Sequence, residues 1–262
     1  MYLETSLEEL FKRDRYIVIF GIAGVSVLSW AYMFHLAWGM TVMEMGIKMS
    51  SPQMQTWGAV DFVLTFFMWA VMMVAMMVPS AGPTVLMFAA LNRSRRRQQG
   101  PYVGTGVFLL GYLAAWIWYS ALATVLQCGL IRAALLSSHM VSTSSILGGT
   151  LLMIAGIFQF TPLKHACLSQ CRSPLGFFLN EWREGTRGAF IMGLVNGNYC
   201  VICCWALMSL MFVAGVMNLL WMASIAAFVL VEKVAPRGEW IARISGTLLL
   251  VWGLWVLAGP LD

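Results

Sequence analysis

Three cysteines lie close together in one apolar stretch of the chain, at Cys200, Cys203 and Cys204. Their spacings of three and four residues put them on one face of a helix. A single free cysteine packs like any small apolar residue, whereas three together form a cluster of soft sulfur donors. Such donors suit Cu(I) or zinc, and a pair of them can exchange with a disulfide. The alternative is that the small thiol side chains only permit close packing between helices.

A second set of sulfur atoms lies in an apolar run that ends at Pro79. Its members are Met68, Met72, Met73, Met76 and Met77. Met72 and Met76 share a helix face and could present two thioethers to one Cu(I) ion. A methionine stripe alone is more typical of an adaptable core. Counting from the outer surface puts both sulfur sets about 16–22 Å deep. If this helix neighbours the cysteine helix, the two sets form a mixed thiolate–thioether site.

Two further groups of possible ligands lie in connecting segments. Segment 161–187 contains His165, Cys167 and Cys171, which form only part of a four-ligand structural zinc site. Segment 34–60 is rich in methionine and could collect soft metal, or could lie as an amphipathic helix on the membrane surface. Its candidate ligands are His35, Met40, Met43, Met45, Met49 and Met54.

The elements that carry these groups are predicted to be transmembrane helices. Of 262 residues, 60% are hydrophobic and only 10% are charged, whereas about a quarter are charged in a soluble domain. Seven apolar runs have lengths near the roughly 20 residues that a span requires. They are Tyr16–Met33, Asp61–Phe88, Val103–Ile131, Ser145–Phe160, Gly188–Gly215, Asn218–Val231 and Ile241–Leu257. We therefore predict an all-α polytopic membrane helix bundle of about seven spans, with residues 1–262 as a single integral membrane domain.

Two local sequences predict irregular helices within this bundle. Pro79 and Pro83 are expected to kink or end the second apolar run, since proline cannot complete the helical hydrogen bonding. Asn196–Asn198 is a poor helix sequence that could unwind inside the protein just before the cysteines. The boundary between the fifth and sixth runs is expected at residues 216–218.

The basic residues predict an orientation. All sixteen Lys and Arg residues except Lys48 and Arg132 fall on one side of the predicted bundle. The positive-inside rule then places the N-terminus, with residues 1–15, in the cytoplasm and the C-terminus outside. Segment 161–187 becomes a cytoplasmic loop with reduced thiols, and segment 34–60 lies outside. We expect a multi-pass protein of the bacterial inner membrane, whose net charge of +5 reflects topology and not nucleic-acid binding.

Several function classes have no support in the sequence. It contains no phosphate-binding loop, no Gly-x-Ser-x-Gly elbow and no His-Glu-x-x-His motif. Away from their ends, the predicted spans contain no ionisable residue of the kind that proton relays, voltage sensors and charged-substrate carriers use. A non-enzymatic role is therefore favoured.

Three motifs resemble those of a bacterial family of predicted metal-binding integral membrane proteins of unknown function. Members of this family are sometimes labelled copper-chaperone-like. The motifs lie at 69–80, at 161–174, and at 199–208 continuing to 233, so the likeness covers about residues 62–238. The resemblance implies a metal-linked role. It points by position to Met72, Met76, Cys167, Cys171, Cys200, Cys203 and Cys204, the residues that sulfur chemistry also selects.

The leading hypothesis is a membrane protein that binds a soft metal, Cu(I) before zinc, for delivery or transport. Copper would pass from the outer methionines to the cysteine cluster and then to Cys167 and Cys171. It would leave for a copper-receiving protein or a membrane complex. One alternative is a membrane thiol–disulfide oxidoreductase that uses Cys200 and Cys203 with Cys167 and Cys171. Another is a non-catalytic assembly or accessory subunit of a membrane complex, in which the cysteines only pack.

Overall fold

The computed structural model describes residues 2–47, 58–97, 103–133, 135 and 144–259. These residues form helices joined by short connections, and the described part of the chain contains no strand. The helices are α1 (Tyr2–Ile47), α2 (Ala59–Arg97), α3 (Thr105–Arg132), α4 (Ser145–Phe158), α5 (Pro162–Arg172), α6 (Pro174–Glu181), α7 (Gly185–Ser209), α8 (Met211–Ala214), α9 (Leu219–Val234) and α10 (Gly238–Ala258). The prediction of an all-α bundle is confirmed.

Each of the seven predicted apolar runs is helical, but the helices differ in length. Within the described residues, five helices are long and apolar enough to cross a membrane, and α4 with α5 would make a sixth if this bent pair forms one span. α4 has 14 residues and α9 has 16. At about 1.5 Å per residue, neither alone reaches the roughly 30 Å of a hydrocarbon core. A polytopic bundle is therefore supported, while the count of seven spans and the orientation stay predictions.

The outer surface of the bundle is strongly apolar. Leu28 and Trp38 of α1 are 72% and 74% exposed, and Trp255 of α10 is 73% exposed. Contiguous apolar patches are rare on soluble monomers and mark surfaces that contact a partner or lipid. Together with the apolar helices, this surface indicates contact with a lipid bilayer.

α2 continues through both of its prolines, so they do not end this helix, and the alternative expectation of a kink stays a prediction. Pro79 lacks the N–H that would bond the carbonyl of Ala75, four residues earlier. The indole Nε1 of Trp30 in α1 donates to that carbonyl at 3.1 Å. A neighbouring helix thus satisfies the freed group, which is how proline is tolerated inside membrane helices.

α7 continues through Asn196–Asn198, so the expected unwinding is also wrong. Gly197 explains why a helix is favoured here, because it lets α7 approach α3 closely. A Cβ at this position would lie 2.8 Å from the Cβ of Ala115 and from the carbonyl oxygen of Tyr112. A Cβ on Gly193, one turn earlier, would clash with the α3 backbone. The packing of α3 against α7 therefore stabilises a locally poor helix sequence.

The predicted boundary at residues 216–218 is confirmed. Gly215 follows α8 with φ 96°, a left-handed conformation that glycine adopts readily. Asn218 then caps α9, since its side-chain oxygen accepts a hydrogen bond from the Trp221 N–H at 3.1 Å.

A bend of 66° separates α4 from α5. Thr161 caps α5, as its hydroxyl accepts a hydrogen bond from the Lys164 N–H at 3.3 Å. Pro162 occupies the first position, where its fixed φ favours the helix. The bend turns α5 against α7. Segment 161–187, predicted as a loop, is thus mostly the two helices α5 and α6.

The segment 34–60 begins as a continuation of α1, which extends to Ile47. His35 lies on this part of the helix and is exposed. Positions 48–57, including Met49 and Met54, lie outside the described residues. The role of this segment in collecting metal stays a prediction.

Candidate metal centre

The three cysteines of α7 are buried and close together. Cys200 and Cys203 are 1% exposed and Cys204 is fully buried. The sulfurs of Cys203 and Cys204 lie 3.8 Å apart, and both thiols donate to the Cys200 carbonyl, at 3.1 and 2.6 Å. Spacings of three and four residues therefore bring the thiols together on one helix face, as the pattern indicates.

The Cys200 sulfur has polar partners from two other helices. Lys233 Nζ of α9 lies 2.8 Å away, and the Tyr112 hydroxyl of α3 lies 3.1 Å away. Lys233 also donates to the Ser80 hydroxyl at 3.0 Å, and Tyr112 donates to the Met77 carbonyl at 3.2 Å. These two side chains connect the cysteine helix to α2. α3 packs against both α2 and α7.

α5 brings two more thiols to this region. Cys171 is partly buried and lies near enough to Cys200 and Cys203 for the thiols to interact. Cys167 is 5% exposed and lies near Cys203. The sequence had separated this pair from the α7 cysteines by about half a membrane. That separation is wrong, because the bend after α4 turns α5 back along α7.

A buried ion pair fixes the position of α5. Lys164 and Glu232 are 0% and 1% exposed, and Lys164 Nζ lies 2.8 and 2.9 Å from the two carboxylate oxygens. At the other end of α5, the Arg172 guanidinium donates to the carbonyls of Ala235 and Pro236, both at 2.7 Å. Both ends of α5 are thereby held against α9 and the turn that follows it.

In the part of the chain that the structure describes, the buried charges around the cysteine cluster leave one ammonium group without a carboxylate partner. Lys164 and Glu232 compensate each other, which leaves the Lys233 ammonium facing Cys200 and Ser80. A buried charge is costly without a partner of opposite charge. A negative charge on the Cys200 sulfur is the matching group, and the thiolate is the form of cysteine that binds metal. The sequence predicted no ionisable residues inside the spans. The buried charges of Lys164 on α5 and of Glu232 and Lys233 on α9 were therefore not anticipated.

His165 lies beside the ion pair on α5. Its ring is partly buried, and its Nδ1 atom is buried without a hydrogen-bond partner in the described part of the chain. The ring is near enough to Glu232 to interact with that carboxylate. Since a histidine nitrogen normally donates or accepts a hydrogen bond when buried, Nδ1 is available to a ligand.

The five methionines of α2 between residues 68 and 77 are all in the core. Met72 is fully buried and Met76 is 1% exposed. The α2 groups that reach the partners of Cys200 come slightly later in the helix, at the Met77 carbonyl and the Ser80 hydroxyl. Whether Met72 and Met76 act as ligands stays a prediction.

The geometry of the cluster bears directly on metal binding. Among the described residues, no group of three or more His, Cys, Asp or Glu side chains is arranged to hold a metal ion. The Cys203 and Cys204 thiols instead turn toward a carbonyl, and Cys200 faces an ammonium. The sulfur donors still have the chemistry that selects Cu(I). To bind one ion together, these donors would have to rotate toward it.

Sequence reasoning did not select three residues that define the surroundings of Cys200 and the position of α5. Lys233 had been interpreted as a cytoplasmic topology signal, and Tyr112 and Glu232 had no assigned role. A signal was present, since an acidic–basic pair ends the apolar run of α9 and a tyrosine interrupts that of α3. Their partners could not be predicted, because those contacts depend on how α3, α7 and α9 pack.

In a comparison with protein families, the family model described as "PpoB2: Copper chaperone" matches residues 66–256. The matched region contains every cysteine of the candidate centre together with Tyr112, Lys164, Glu232 and Lys233. The description names copper and gives no support for zinc. No curated protein and no solved structure matches the chain.

Proposed function

This chain belongs to the copper chaperone family, and on that premise we propose that it holds Cu(I) as cargo inside a membrane helix bundle and passes it on by ligand exchange. The observation that carries this proposal is that thiols of α5 and α7 lie near one another, and all of them are buried except Cys171, which is partly buried. Thiolate and thioether groups are the ligands that select Cu(I). A cluster that recruits them from two helices can bind the ion with one pair and release it to another.

Lys233 gives the proposed complex a balanced charge. A Cu(I) ion bound by two thiolates carries one net negative charge, which is costly to bury in a medium of low dielectric constant. The Lys233 ammonium, 2.8 Å from the Cys200 sulfur, neutralises this charge. Cys200 with Cys203 or Cys204 is therefore our proposed primary binding pair, and Lys233 is its positioning and charge-balancing residue.

The thiols of α5 provide the second half of the exchange. Cys171 is close to both Cys200 and Cys203, so an ion can be shared between the helices during transfer. His165 on the same helix offers a nitrogen for the next step. Met72 and Met76 are proposed as auxiliary thioether ligands from α2. The acceptor would be a copper-receiving protein or a membrane complex at the inner membrane of a bacterium, and segment 34–60 would collect the metal.

Metal analysis of the purified protein tests this proposal. The protein is prepared without oxygen in lipid nanodiscs, loaded with Cu(I), and dialysed against a weak chelator before elemental analysis. We expect retained copper in the unchanged protein and loss of copper in the C200S/C203S/C204S variant. C128S is the matched control, because Cys128 is a free thiol on α3 outside the cluster.

Two outcomes would contradict the proposal. Copper content that is the same in the triple variant and in C128S would show that the cluster is not the binding site. Retention of zinc, and not copper, in a parallel loading would show that the cargo is wrong.

One observation favours a second candidate function, thiol–disulfide exchange. A lysine beside a cysteine is an arrangement found at reactive thiols, and Cys171 is within reach of Cys200 as a second thiol. The Cys171 and Cys200 thiols would be oxidised to a disulfide while a disulfide of a partner protein is reduced to two thiols. Alkylation and mass spectrometry after treatment with an oxidised dithiol would detect the bond. Failure to form it would exclude this function.

A further inference from the structure

A groove with a volume of about 400 Å³ lies between α1, α2 and α3, and no residue that lines it belongs to the candidate metal centre. Its walls are mainly apolar, with Ile22 of α1, Val85 of α2 and Leu109 of α3. Arg93 of α2 is the charged residue among those that line it. Its volume lies within the range of pockets that hold small molecules.

Two glycines line this groove. Gly21 of α1 and Gly106 of α3 are both exposed, and a Cβ at either position would meet no atom within 4 Å. Gly193 and Gly197 of α7 are different, because a Cβ there would collide with α3. A larger side chain at Gly21 or Gly106 can therefore be used to fill the groove.

Arg93 gives the groove a preference for negative charge. It is partly buried, and within the described residues no carboxylate pairs with it. The nearby Arg95 is different, since it bonds to Glu184 at 2.7 Å and lies 4.5 Å from the ring centroid of Trp182. The hydroxyl of Thr105 adds a hydrogen-bonding group to the groove lining. An arginine at the end of an apolar groove can reach the phosphate of a lipid while its aliphatic part stays in contact with apolar groups.

The surroundings of the groove favour a lipid chain as its occupant. An acyl chain is narrow and flexible, so it can follow an apolar groove of about 400 Å³ between three helices. The helices on each side are apolar and long enough to cross a membrane, so acyl chains are the surrounding medium.

We propose that this groove is a binding site for one anionic glycerophospholipid. An acyl chain lies between α1, α2 and α3 along Gly21 and Gly106, and the phosphate group contacts Arg93. Because α1 packs mainly against α2, the lipid also fills the gap between α1 and α3. The site is separate from the thiol cluster and does not depend on the function proposed for it.

Native mass spectrometry tests the proposal on the full chain. The protein is released from nanodiscs that contain equal amounts of phosphatidylglycerol and phosphatidylethanolamine, and the retained lipid is identified. We expect one retained lipid, with phosphatidylglycerol preferred by about fivefold, the effect of one basic residue near an anionic lipid. R93Q should retain a lipid without this preference, and R93K should restore part of it. G21L/G106L should retain neither lipid.

Matched controls separate the site from general effects of charge and shape. R243Q removes an exposed basic residue of α10, and G129L adds a side chain to an exposed glycine of α3 outside the groove. Both should behave like the unchanged protein, and helicity by circular dichroism should be the same in all variants.

Three results would overturn the proposal. The first is equal retention of the two lipids by the unchanged protein, and the second is a loss of preference in R243Q as large as in R93Q. The third is the observation of a lipid-free dimer that does not form in G21L/G106L. That result would mean that the groove binds a second copy of the chain instead of a lipid.

Discussion

The cysteine helix α7 and the methionine helix α2 both bury sulfur, but the surroundings of the sulfur atoms differ. On α7 the Cys200 sulfur contacts the Lys233 ammonium and the Tyr112 phenol. The backbone carbonyl of Cys200 accepts hydrogen bonds from two further thiols. On α2 the methionines belong to a hydrophobic core that also contains Trp69, whose ring packs against Phe212 at 5.4 Å. Sulfur content alone therefore does not distinguish a site from a core. Buried polar groups that contact the sulfur distinguish a site from a core, because burying such groups is costly without a function or a partner.

The largest expected effect comes from the ion pair that holds α5 beside the cysteines. Either K164M or E232Q leaves one buried charge without its partner, and we expect each to destabilise the protein by about 3–5 kcal/mol. The K164M/E232M double variant should recover most of this loss. Denaturant unfolding of nanodisc-embedded protein provides the measurement. Equal stability of the single and double variants would show that the pair does not act as a unit.

The second effect concerns Cys200 itself. Loss of a residue that only supports a metal ligand typically weakens binding by roughly 10–100-fold. Because Cys200 is proposed as a direct ligand, we expect C200S to weaken Cu(I) binding by more than this. Competition with a Cu(I) chelator of known affinity measures the change. An affinity equal to that of C128S would place the metal elsewhere and remove the contrast between the two regions.

The third effect tests the charge on Lys233. K233M removes the cation that balances a dithiolate copper complex, and we expect about 10–100-fold weaker Cu(I) binding. K233R keeps the charge with a different shape and should lose less. The same chelator competition measures both variants. Tighter binding in K233M would mean that the ammonium competes with copper for the Cys200 sulfur.

The smallest effect is expected on the methionine side of the comparison. Leucine has a similar volume to methionine, so M72L/M76L should change stability by less than about 1.5 kcal/mol. As auxiliary thioether ligands, Met72 and Met76 should contribute less than a tenfold change in Cu(I) affinity, or about 1.4 kcal/mol. Unfolding and chelator competition on the same sample measure both quantities. A loss as large as that of C200S would place the methionines among the primary ligands.

The sequence predicted the features that depend on local pattern. Apolar runs located the helices, and three- and four-residue spacings located the α7 cysteines on one face. Helix breaks were predicted less well. Pro79 and Asn196–Asn198 both lie inside continuous helices because α1 and α3, respectively, provide a hydrogen bond and close packing that no local pattern shows.

The connection of α5 to the cysteine cluster also could not be predicted. Cys167 and Cys171 had been selected as ligands, but the positive-inside rule placed them at one membrane face because Lys164 and Arg172 lie beside them. In the structure these two cations are used inside the protein, to bind Glu232 and the carbonyls after α9. A rule that counts charges along a chain cannot separate a cation that faces solvent from one that meets a distant carboxylate.

The close contact between α3 and α7 divides the molecule into a stationary part and a moving part. Glycines at 111, 193 and 197 let the two backbones meet, and packed interfaces of this kind do not deform gradually. If the protein releases an ion as proposed, α5 can move away from α7 only when the Lys164–Glu232 ion pair and the Arg172 contacts to the carbonyls after α9 open. A change that strengthens those contacts would then slow delivery without changing affinity.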